Sequence, residues 1–192
     1  MTTQLDDTAT LTALQRLADE VGALVDAVDL AHWNASSPCP DLPAHALVEH
    51  LIGELEGFSR VARGSGPLDF ASNALQPAEA ARAYRAAGTD AVTDWSVPGR
   101  LATEYAMPWG PSTGAMLVGF LVLEQAVHGW DLARALGLPA DFDTEAVAVA
   151  DRTARAMPTA PMRVPGMFGP EVDAPDDAPP LDRLAAFLGR QP

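Results

Sequence analysis

The segment MLVGFLVLEQAVHGWDLARAL (residues 116–136) decides the fold, because its side chains are apolar nearly all the way round a helix. A helix that is apolar on every side is buried on every side, so this segment is predicted to lie in the middle of a helical bundle. Gly137 and Pro139 follow it, and both residue types favour the end of a helix. The predicted helix spans residues 113–136.

Three more long helices are predicted ahead of this segment. Apolar residues recur at three- and four-residue steps over about residues 8–30, 43–63 and 77–95. Pro43 and Pro77 suit the first turns of the second and third of these helices. Four long helices joined by short and medium connections predict an all-α fold, an up-and-down four-helix bundle.

Smaller elements complete the predicted domain. Residues 100–107 alternate well enough for a short strand, and residues 108–111 favour a hairpin-type turn ahead of the last long helix. Two short helices are predicted near residues 143–156 and 180–189, with the Pro- and Gly-rich residues 157–180 as a loop packed on the bundle. A chain of 192 residues supports one well-buried core, so we expect one domain spanning residues 1–192.

Composition and charge narrow the expected partners. The net charge is -14, and the twelve basic residues, all of them arginine, are scattered, which argues against nucleic-acid binding. No stretch reaches the roughly 18 apolar residues of a membrane span, and the start lacks the regions of a signal peptide. We therefore expect a cytoplasmic protein that acts on a small molecule without a membrane. An acidic surface and apolar helix faces fit a monomer or a homodimer.

Glu124 and His128 are the residues of the central helix that suggest chemistry. They are four residues apart and share one helix face. A buried carboxylate needs a cation, a strong hydrogen-bond donor or a metal nearby. Asp131 follows His128 by three residues and could orient its imidazole, although Arg134 offers Asp131 an ordinary ion pair instead.

His50 is the matching candidate on the second predicted helix. It lies at the flank of the apolar stripe, and Glu54 lies one turn further on the same flank, as an extra ligand or a partner to one. Two histidines and one carboxylate would leave metal positions open, as catalytic zinc and non-haem iron sites do. Histidine and glutamate at four-residue spacing are also common as simple polar contacts, so both interpretations stand at this point.

The other candidates are weaker. His32 is expected to cap carbonyls at a helix end, and His45 falls off the apolar stripe. Trp109 and Trp130 could wall a pocket, but a position in the core is favoured for each. Cys39 lies between two prolines with no basic neighbour in sequence to activate it, so we expect a small loop residue rather than a nucleophile.

Four segments carry a resemblance to a known family. They are SSPCPDLPAHALVEHLIGELEGF (36–58), Pro108-Trp109-Gly110, LEQAVHGWDLARALGLP (123–139) and PGMFGPEVDAPDDAPPLDRLAAFLGR (165–190). Together they resemble the DinB-like superfamily, in the branch of small actinobacterial metal-binding proteins similar to the N-terminal domain of mycothiol-dependent maleylpyruvate isomerase. The resemblance implies an up-and-down four-helix bundle with a metal held by one residue of the second helix and two of the last long helix. In this sequence those residues are His50, Glu124 and His128.

The resemblance also implies a function. It points to a metal-dependent enzyme of the thiol-transferase type, with zinc or else nickel, iron or manganese, and with mycothiol as co-substrate. The alternatives are a metal-dependent hydrolase, isomerase or cyclase on a small organic or natural-product substrate, and a non-catalytic metal-binding protein. The family's Cys-Pro-Gly-Trp loop is replaced here by Cys39-Pro40-Asp41-Leu42. The second domain of the isomerase does not follow in this sequence, so we do not expect maleylpyruvate isomerisation.

Overall fold

A computed structural model describes residues 7–70, 74–157, 162–163 and 168–192. Within these ranges the chain forms six α-helices and one two-stranded hairpin, which confirms the predicted all-α class. In chain order the elements are α1 (Asp7–Asp26), α2 (Ala44–Arg63), α3 (Pro77–Trp95), β1 (Glu104–Tyr105), β2 (Ser112–Thr113), α4 (Gly114–Leu136), α5 (Thr144–Ala156) and α6 (Pro180–Phe187).

The four long helices pack in the order α1, α3, α2, α4 around the bundle. Helix α1 packs against α3 and α4, and α2 packs against the same two helices. Helices α1 and α2 therefore lie diagonally opposite each other, and residues 27–43 carry the chain across the end of the bundle. This order makes α2 and α4 neighbours, so residues predicted from two separate sequence segments can meet in one groove.

Helix α4 lies in the middle of the fold, as its composition predicts. It contacts α1, α2, α5 and α6, and the side chains of Leu121, Leu123 and Trp130 are fully buried. Its polar residues Glu124, His128 and Asp131 are buried as well. Despite this apolar helix, a search of the described part of the chain found no helix with the length and hydropathy needed to cross a membrane.

Local signals fix both ends of the long helices. The hydroxyl of Thr113 accepts a hydrogen bond from the amide of Met116 and so caps the start of α4. Gly64 and Gly137 end α2 and α4 with φ values of 66° and 65°, a left-handed conformation that glycine adopts without a steric penalty. The first helix ends at Asp26 rather than near residue 30, because the amides of Ala27 and Val28 make turn hydrogen bonds instead.

The predicted hairpin is present but shorter than expected. Strands β1 and β2 are antiparallel, with Glu104 opposite Thr113 and Tyr105 opposite Ser112. Residues 98–102 form turns rather than strand, so the predicted strand over 100–107 is reduced to two residues. The turn between the strands carries Trp109, whose indole nitrogen donates a hydrogen bond to the hydroxyl of Ser112.

The C-terminal segment returns to the bundle and packs on it. Helix α6 contacts α4 and α5. The amides of Gly169 and Val172 donate to the carbonyls of Leu188 and Ala186, so the preceding segment runs alongside α6. Residues 158–161 and 164–167 of the predicted loop over 157–180 lie outside the described residues. This packing brings residue Arg190 against α4.

Candidate metal centre

The three predicted ligands meet in the groove between α2 and α4. His50, Glu124 and His128 each offer one donor atom, and these atoms lie within 4.8 Å of one another. Nε2 of His128 is 3.2 Å from Oε2 of Glu124. The rings of His50 and His128 are perpendicular, at 89°, with their centroids 4.8 Å apart. The structure thus brings together all three residues singled out in the sequence.

These donors lie at the floor of a cavity of about 320 Å³. Glu54 shares the floor with them, one turn beyond His50 on α2, with its Oε1 atom 3.5 Å from Nε2 of His50. Above the floor the cavity is walled mainly by apolar and aromatic side chains. A small molecule in the cavity would therefore contact both the apolar walls and the histidine and carboxylate groups.

His128 is held from its other nitrogen by a buried ion pair. Nδ1 of His128 lies 3.1 Å from Oδ2 of Asp131. The guanidinium of Arg190 donates to both carboxylate oxygens of Asp131, at 3.0 Å and 3.4 Å. The expected alternative, a pair between Asp131 and Arg134, is wrong. Asp131 points into the bundle, whereas Arg134 lies towards solvent and pairs with Asp182.

This arrangement determines which groups carry charge. Burial lowers the pKa of His128, but its hydrogen bonds with Asp131 and Glu124 outweigh that effect and raise the pKa to about 10. Burial, together with the positive charge of His128, lowers the pKa of His50 to about 4. Burial alone would raise the pKa of Glu124, yet the hydrogen bond and charge of His128 keep it below its usual value. His50 is therefore a neutral imidazole at physiological pH.

Among the residues that line the cavity, Glu54 has a buried carboxyl oxygen without a hydrogen-bond partner. Its side chain is 2% exposed, and its Oε2 atom has no hydrogen-bond partner among the described residues. Burial raises its pKa well above the ordinary value, and the nearby negative charge of Glu124 raises it further. A buried carboxyl oxygen without a partner costs about 1–3 kcal/mol, so a ligand at the cavity floor would relieve it.

The donor set fits a divalent metal ion. Zinc takes imidazole and carboxylate donors at about 2.0–2.2 Å, which places neighbouring donors of a tetrahedral site about 3.3 Å apart. Nε2 of His128 and Oε2 of Glu124 are joined here by a hydrogen bond at 3.2 Å, so a metal ion could replace the proton between them with little movement of either side chain. A ligand histidine must be neutral at the bound nitrogen, and its other nitrogen usually donates to a carboxylate, as Nδ1 of His128 can to Asp131.

A second set of potential ligands is less suitable. Cys39, His128 and Asp131 also place one donor atom each within 4.8 Å of one another. Both oxygens of Asp131 already accept hydrogen bonds from Arg190, whose positive charge would repel a metal ion. Burial raises the pKa of the Cys39 thiol even though His128 and Arg190 lie near it, so the thiolate that metals bind is disfavoured.

Several residues were placed differently from expectation or were missed. Trp109 is 58% exposed and lines the cavity, so a core position is wrong for it, whereas Trp130 is buried as expected. His32 pairs with the Asp29 carboxylate at 2.7 Å instead of capping a carbonyl. His45 stays away from the ligands, with Nδ1 3.1 Å from the carbonyl of Trp33.

Arg190 was not singled out in the sequence. Its partner, Asp131, lies 59 residues earlier in the chain. The sequence signal was weak, since nothing marks one of twelve arginines as buried. Cys39 was discounted because no basic residue adjoins it in sequence, yet the fold brings His128 and Arg190 close to it. Both residues reach the site through long-range packing.

Comparisons with known proteins identify the family of this chain. Residues 14–133 match the family described as the mycothiol maleylpyruvate isomerase N-terminal domain. Uncharacterized proteins from two strains of Mycobacterium tuberculosis, CDC 1551 / Oshkosh and ATCC 25618 / H37Rv, are each 32% identical over 181 residues, covering 94% of this chain and 97% of their own. No solved structure matches. The chain belongs to the family of the mycothiol maleylpyruvate isomerase N-terminal domain.

Proposed function

We propose that this protein is a metal-dependent transferase that joins a low-molecular-weight thiol of the mycothiol type to a small electrophile. The observation that carries the proposal is the convergence of His50, Glu124 and His128 within 4.8 Å at the floor of a cavity. The family description, which names mycothiol, supports the choice of thiol.

Each residue has a role in this proposal. His50, Glu124 and His128 would hold one divalent ion, most simply zinc, although nickel, iron and manganese accept the same donors. When bound, such an ion supplies Lewis acidity that lowers the pKa of a coordinated thiol. Nδ1 of His128 donates to Asp131, so the proton that a metal ion would displace is the one on Nε2, and Arg190 keeps Asp131 in place.

The cysteine of this chain is not activated as a nucleophile. Cys39 is its only cysteine, and burial raises the pKa of that thiol. A thiol whose pKa is raised is a poor nucleophile at physiological pH, because the thiolate is the reactive form. The proposed reaction therefore takes its sulfur from a co-substrate, and the apolar walls of the cavity keep water away from it.

A second candidate function rests on Glu54. Its Oε2 atom lacks a partner, and its Oε1 atom is 3.5 Å from His50, so it is placed to act as a fourth protein ligand. Four protein ligands close the shell of a tetrahedral ion and leave no position for a substrate. In that case the protein would bind a metal without catalysis.

The metal site is tested first. The metal content of protein purified without chelator is measured by elemental mass spectrometry, beside His50→Ala, His128→Ala and the control His45→Ala. We expect about one equivalent in the wild type and in His45→Ala, and its loss in the other two variants, because removal of one ligand in three weakens binding by orders of magnitude. Full metal content in His128→Ala would show that the site is wrong.

The reaction class is tested next with the metal-loaded protein. Mycothiol and 1-chloro-2,4-dinitrobenzene are added, and the free thiol is measured with time. We expect thiol consumption that is absent in His50→Ala. Metal binding without thiol consumption would exclude the transferase. A loss of metal in Glu54→Gln would then favour the closed shell, and turnover of an ester or another substrate without thiol loss would favour a hydrolase, isomerase or cyclase.

A further inference from the structure

An unbroken series of aromatic rings lines one wall of the cavity. The ring of Trp109 lies 6.4 Å from that of Phe120, which lies 5.9 Å from Phe58, which lies 5.8 Å from Phe70. Trp109, Phe120 and Phe70 face the cavity. The series begins at Trp109 and ends at Phe70, which are 58% and 37% exposed, and it passes through the fully buried Phe58, which does not line the cavity. A molecule in the cavity would therefore meet three aromatic rings on this wall.

The remaining apolar lining of the cavity comes from three parts of the fold. Its residues come from the loop before α2, from α4 and from the C-terminal segment, and they are Leu42, Val127, Met162, Phe168 and Leu188. Polar groups are concentrated at the floor, around the candidate ligands. The walls therefore contribute apolar contact, while the chemistry is confined to one end.

Among the described residues, and before any metal ion binds, no cationic side chain that lines the cavity is free to bind an anion. His128 already pairs with Glu124 and Asp131. All twelve basic residues of the chain are arginines, and all lie within the described ranges. Arg190 alone among them lines the cavity, and both oxygens of Asp131 already accept its hydrogen bonds. A dianion would lose its hydration on entering without gaining a counter-charge from the walls. The chain's net charge of -14 would repel it further.

We propose that this cavity selects an uncharged, ring-containing apolar electrophile and rejects a dicarboxylate such as the maleylpyruvate in the family description. The cavity volume of about 320 Å³ suits a molecule of one or two rings. The electrophile's role rests on the proposed function. In that reaction the thiol sulfur bonds to the electrophilic carbon, the leaving group departs with the bonding electron pair, and the thiol proton passes to water.

Two probes with the same ring system test this selection by calorimetry. They are 2-acetonaphthone, which is uncharged, and naphthalene-2,3-dicarboxylate. Each is titrated into protein as purified and again after chelation, so that a bond between carboxylate and metal is recognised by its loss. We expect the ketone to bind the chelated wild type at least about 10-fold more tightly than the dicarboxylate, since only the latter must desolvate two unpaired charges.

Substitutions of one exposed residue sharpen the test. Trp109→Ala should weaken ketone binding by about 2- to 10-fold, the range for losing one aromatic contact. Trp109→Arg should weaken the binding of the ketone and strengthen the binding of the dicarboxylate, because it replaces an aromatic surface by a free cation. Val97→Ala is the control, since Val97 is also partly exposed but does not line the cavity, and it should change neither affinity.

The outcomes separate this inference from the proposed function. Equal or tighter binding of the dicarboxylate to the chelated wild type, or ketone binding that is unchanged in Trp109→Ala, would overturn the inference. If the wild type takes up metal and consumes thiol but binds the dicarboxylate more tightly, the proposed transferase function stands and the proposed substrate class is wrong. If the wild type binds the ketone but takes up no metal, the inferred preference of the cavity stands and the proposed transferase function is wrong.

Discussion

The two sides of His128 differ in how completely their polar groups are paired. On the arginine side, formed by Asp131 and Arg190, both carboxylate oxygens accept hydrogen bonds, and Arg190 also donates to the carbonyl of Leu188. On the cavity side, formed by His50, Glu54 and Glu124, one oxygen of Glu54 has no partner in the part of the chain that the structure describes. The arginine side is complete by itself, whereas the cavity side lacks an interaction that a ligand would supply.

Burial does not explain this difference, because Asp131 and Glu54 are both almost fully buried, at 0% and 2% exposure. Burial raises the pKa of each carboxyl. For Asp131 the hydrogen bond with His128 and the charge of Arg190 outweigh burial and lower the pKa. For Glu54 the charge of Glu124 adds to burial and raises it. Two acids in similar surroundings thus have opposite preferences, which are set by their partners.

The largest expected effect comes from breaking the arginine side. Asp131→Asn removes the charge that neutralises buried Arg190, and the loss of one partner of a buried ion pair costs about 3–5 kcal/mol. We expect the free energy of unfolding in urea to fall by that amount. Metal affinity should also fall, by about 10- to 100-fold, because His128 loses its orienting carboxylate.

Asp151→Asn serves as the control for that substitution. Asp151 forms an ion pair with Arg155 at 2.9 Å on the outer surface of α5, and the arginine is about half exposed. A surface pair of this kind contributes at most about 0.5 kcal/mol. A cost for Asp131→Asn no larger than that of the control would show that the arginine side does not anchor His128.

A smaller effect is expected from disturbing the cavity wall. Phe70 reaches the cavity because the preceding chain lies directly on α2, where a Cβ atom on Gly53 would stand 2.5 Å from the carbonyl oxygen of Phe70. Gly53→Ala must displace this backbone, so we expect the free energy of unfolding to fall by about 1–3 kcal/mol. Binding of an uncharged ring compound should weaken with it.

Gly22→Ala separates the clash from helix propensity. Gly22 lies inside α1, and a Cβ atom there would meet the ring of Tyr84 at an ordinary contact distance of 3.5 Å. Alanine in a helix interior is favoured over glycine by about 0.5–1 kcal/mol, so this variant should be slightly more stable than the wild type. If Gly53→Ala changes the free energy of unfolding in urea by as little as Gly22→Ala does, the contact between Gly53 and the carbonyl of Phe70 does not shape the cavity.

The cavity side was largely predictable from sequence, and the arginine side only in part. Glu124 and His128 share a face because of helix periodicity, and His50 is visible as a polar residue beside an apolar stripe. The same local rule suggested Asp131 as a partner of His128. Arg190 was not predictable, because its contact with Asp131 spans 59 residues and depends on how α6 packs against α4.

The position of Trp109 beside the cavity was not predictable for a related reason. Trp109 was expected in the core because tryptophan is large and apolar, but the hairpin turn that carries it leaves it 58% exposed. The turn was read correctly from its Pro and Gly residues, whereas the direction of its side chains depends on how the hairpin meets α4. Local patterns therefore identified the elements and the candidate ligands, but not the residues that approach them from other parts of the fold.

The smallest expected effect comes from removing the unpaired carboxyl of Glu54 from the cavity side. Glu54→Met replaces the unsatisfied carboxyl by an apolar chain of similar length, and in chelated protein at pH 8 we expect a gain of about 1 kcal/mol in the free energy of unfolding. The gain should shrink towards pH 4. Burial and the charge of Glu124 raise the pKa of Glu54 in the folded state above its ordinary value of 4.5, so the wild type loses stability as pH rises above that value.

This pH dependence distinguishes the carboxyl from simple packing. Below the unfolded pKa both states of the wild type are protonated, and the charge contributes nothing to the difference between wild type and variant. A gain that is constant from pH 4 to pH 8 would therefore mean that Glu54 is not strained by its burial beside Glu124. A gain that grows with pH in chelated protein and disappears when zinc is added would mean that the positive charge of the metal ion offsets the buried charge of Glu54, as Arg190 offsets that of Asp131 on the other side of His128.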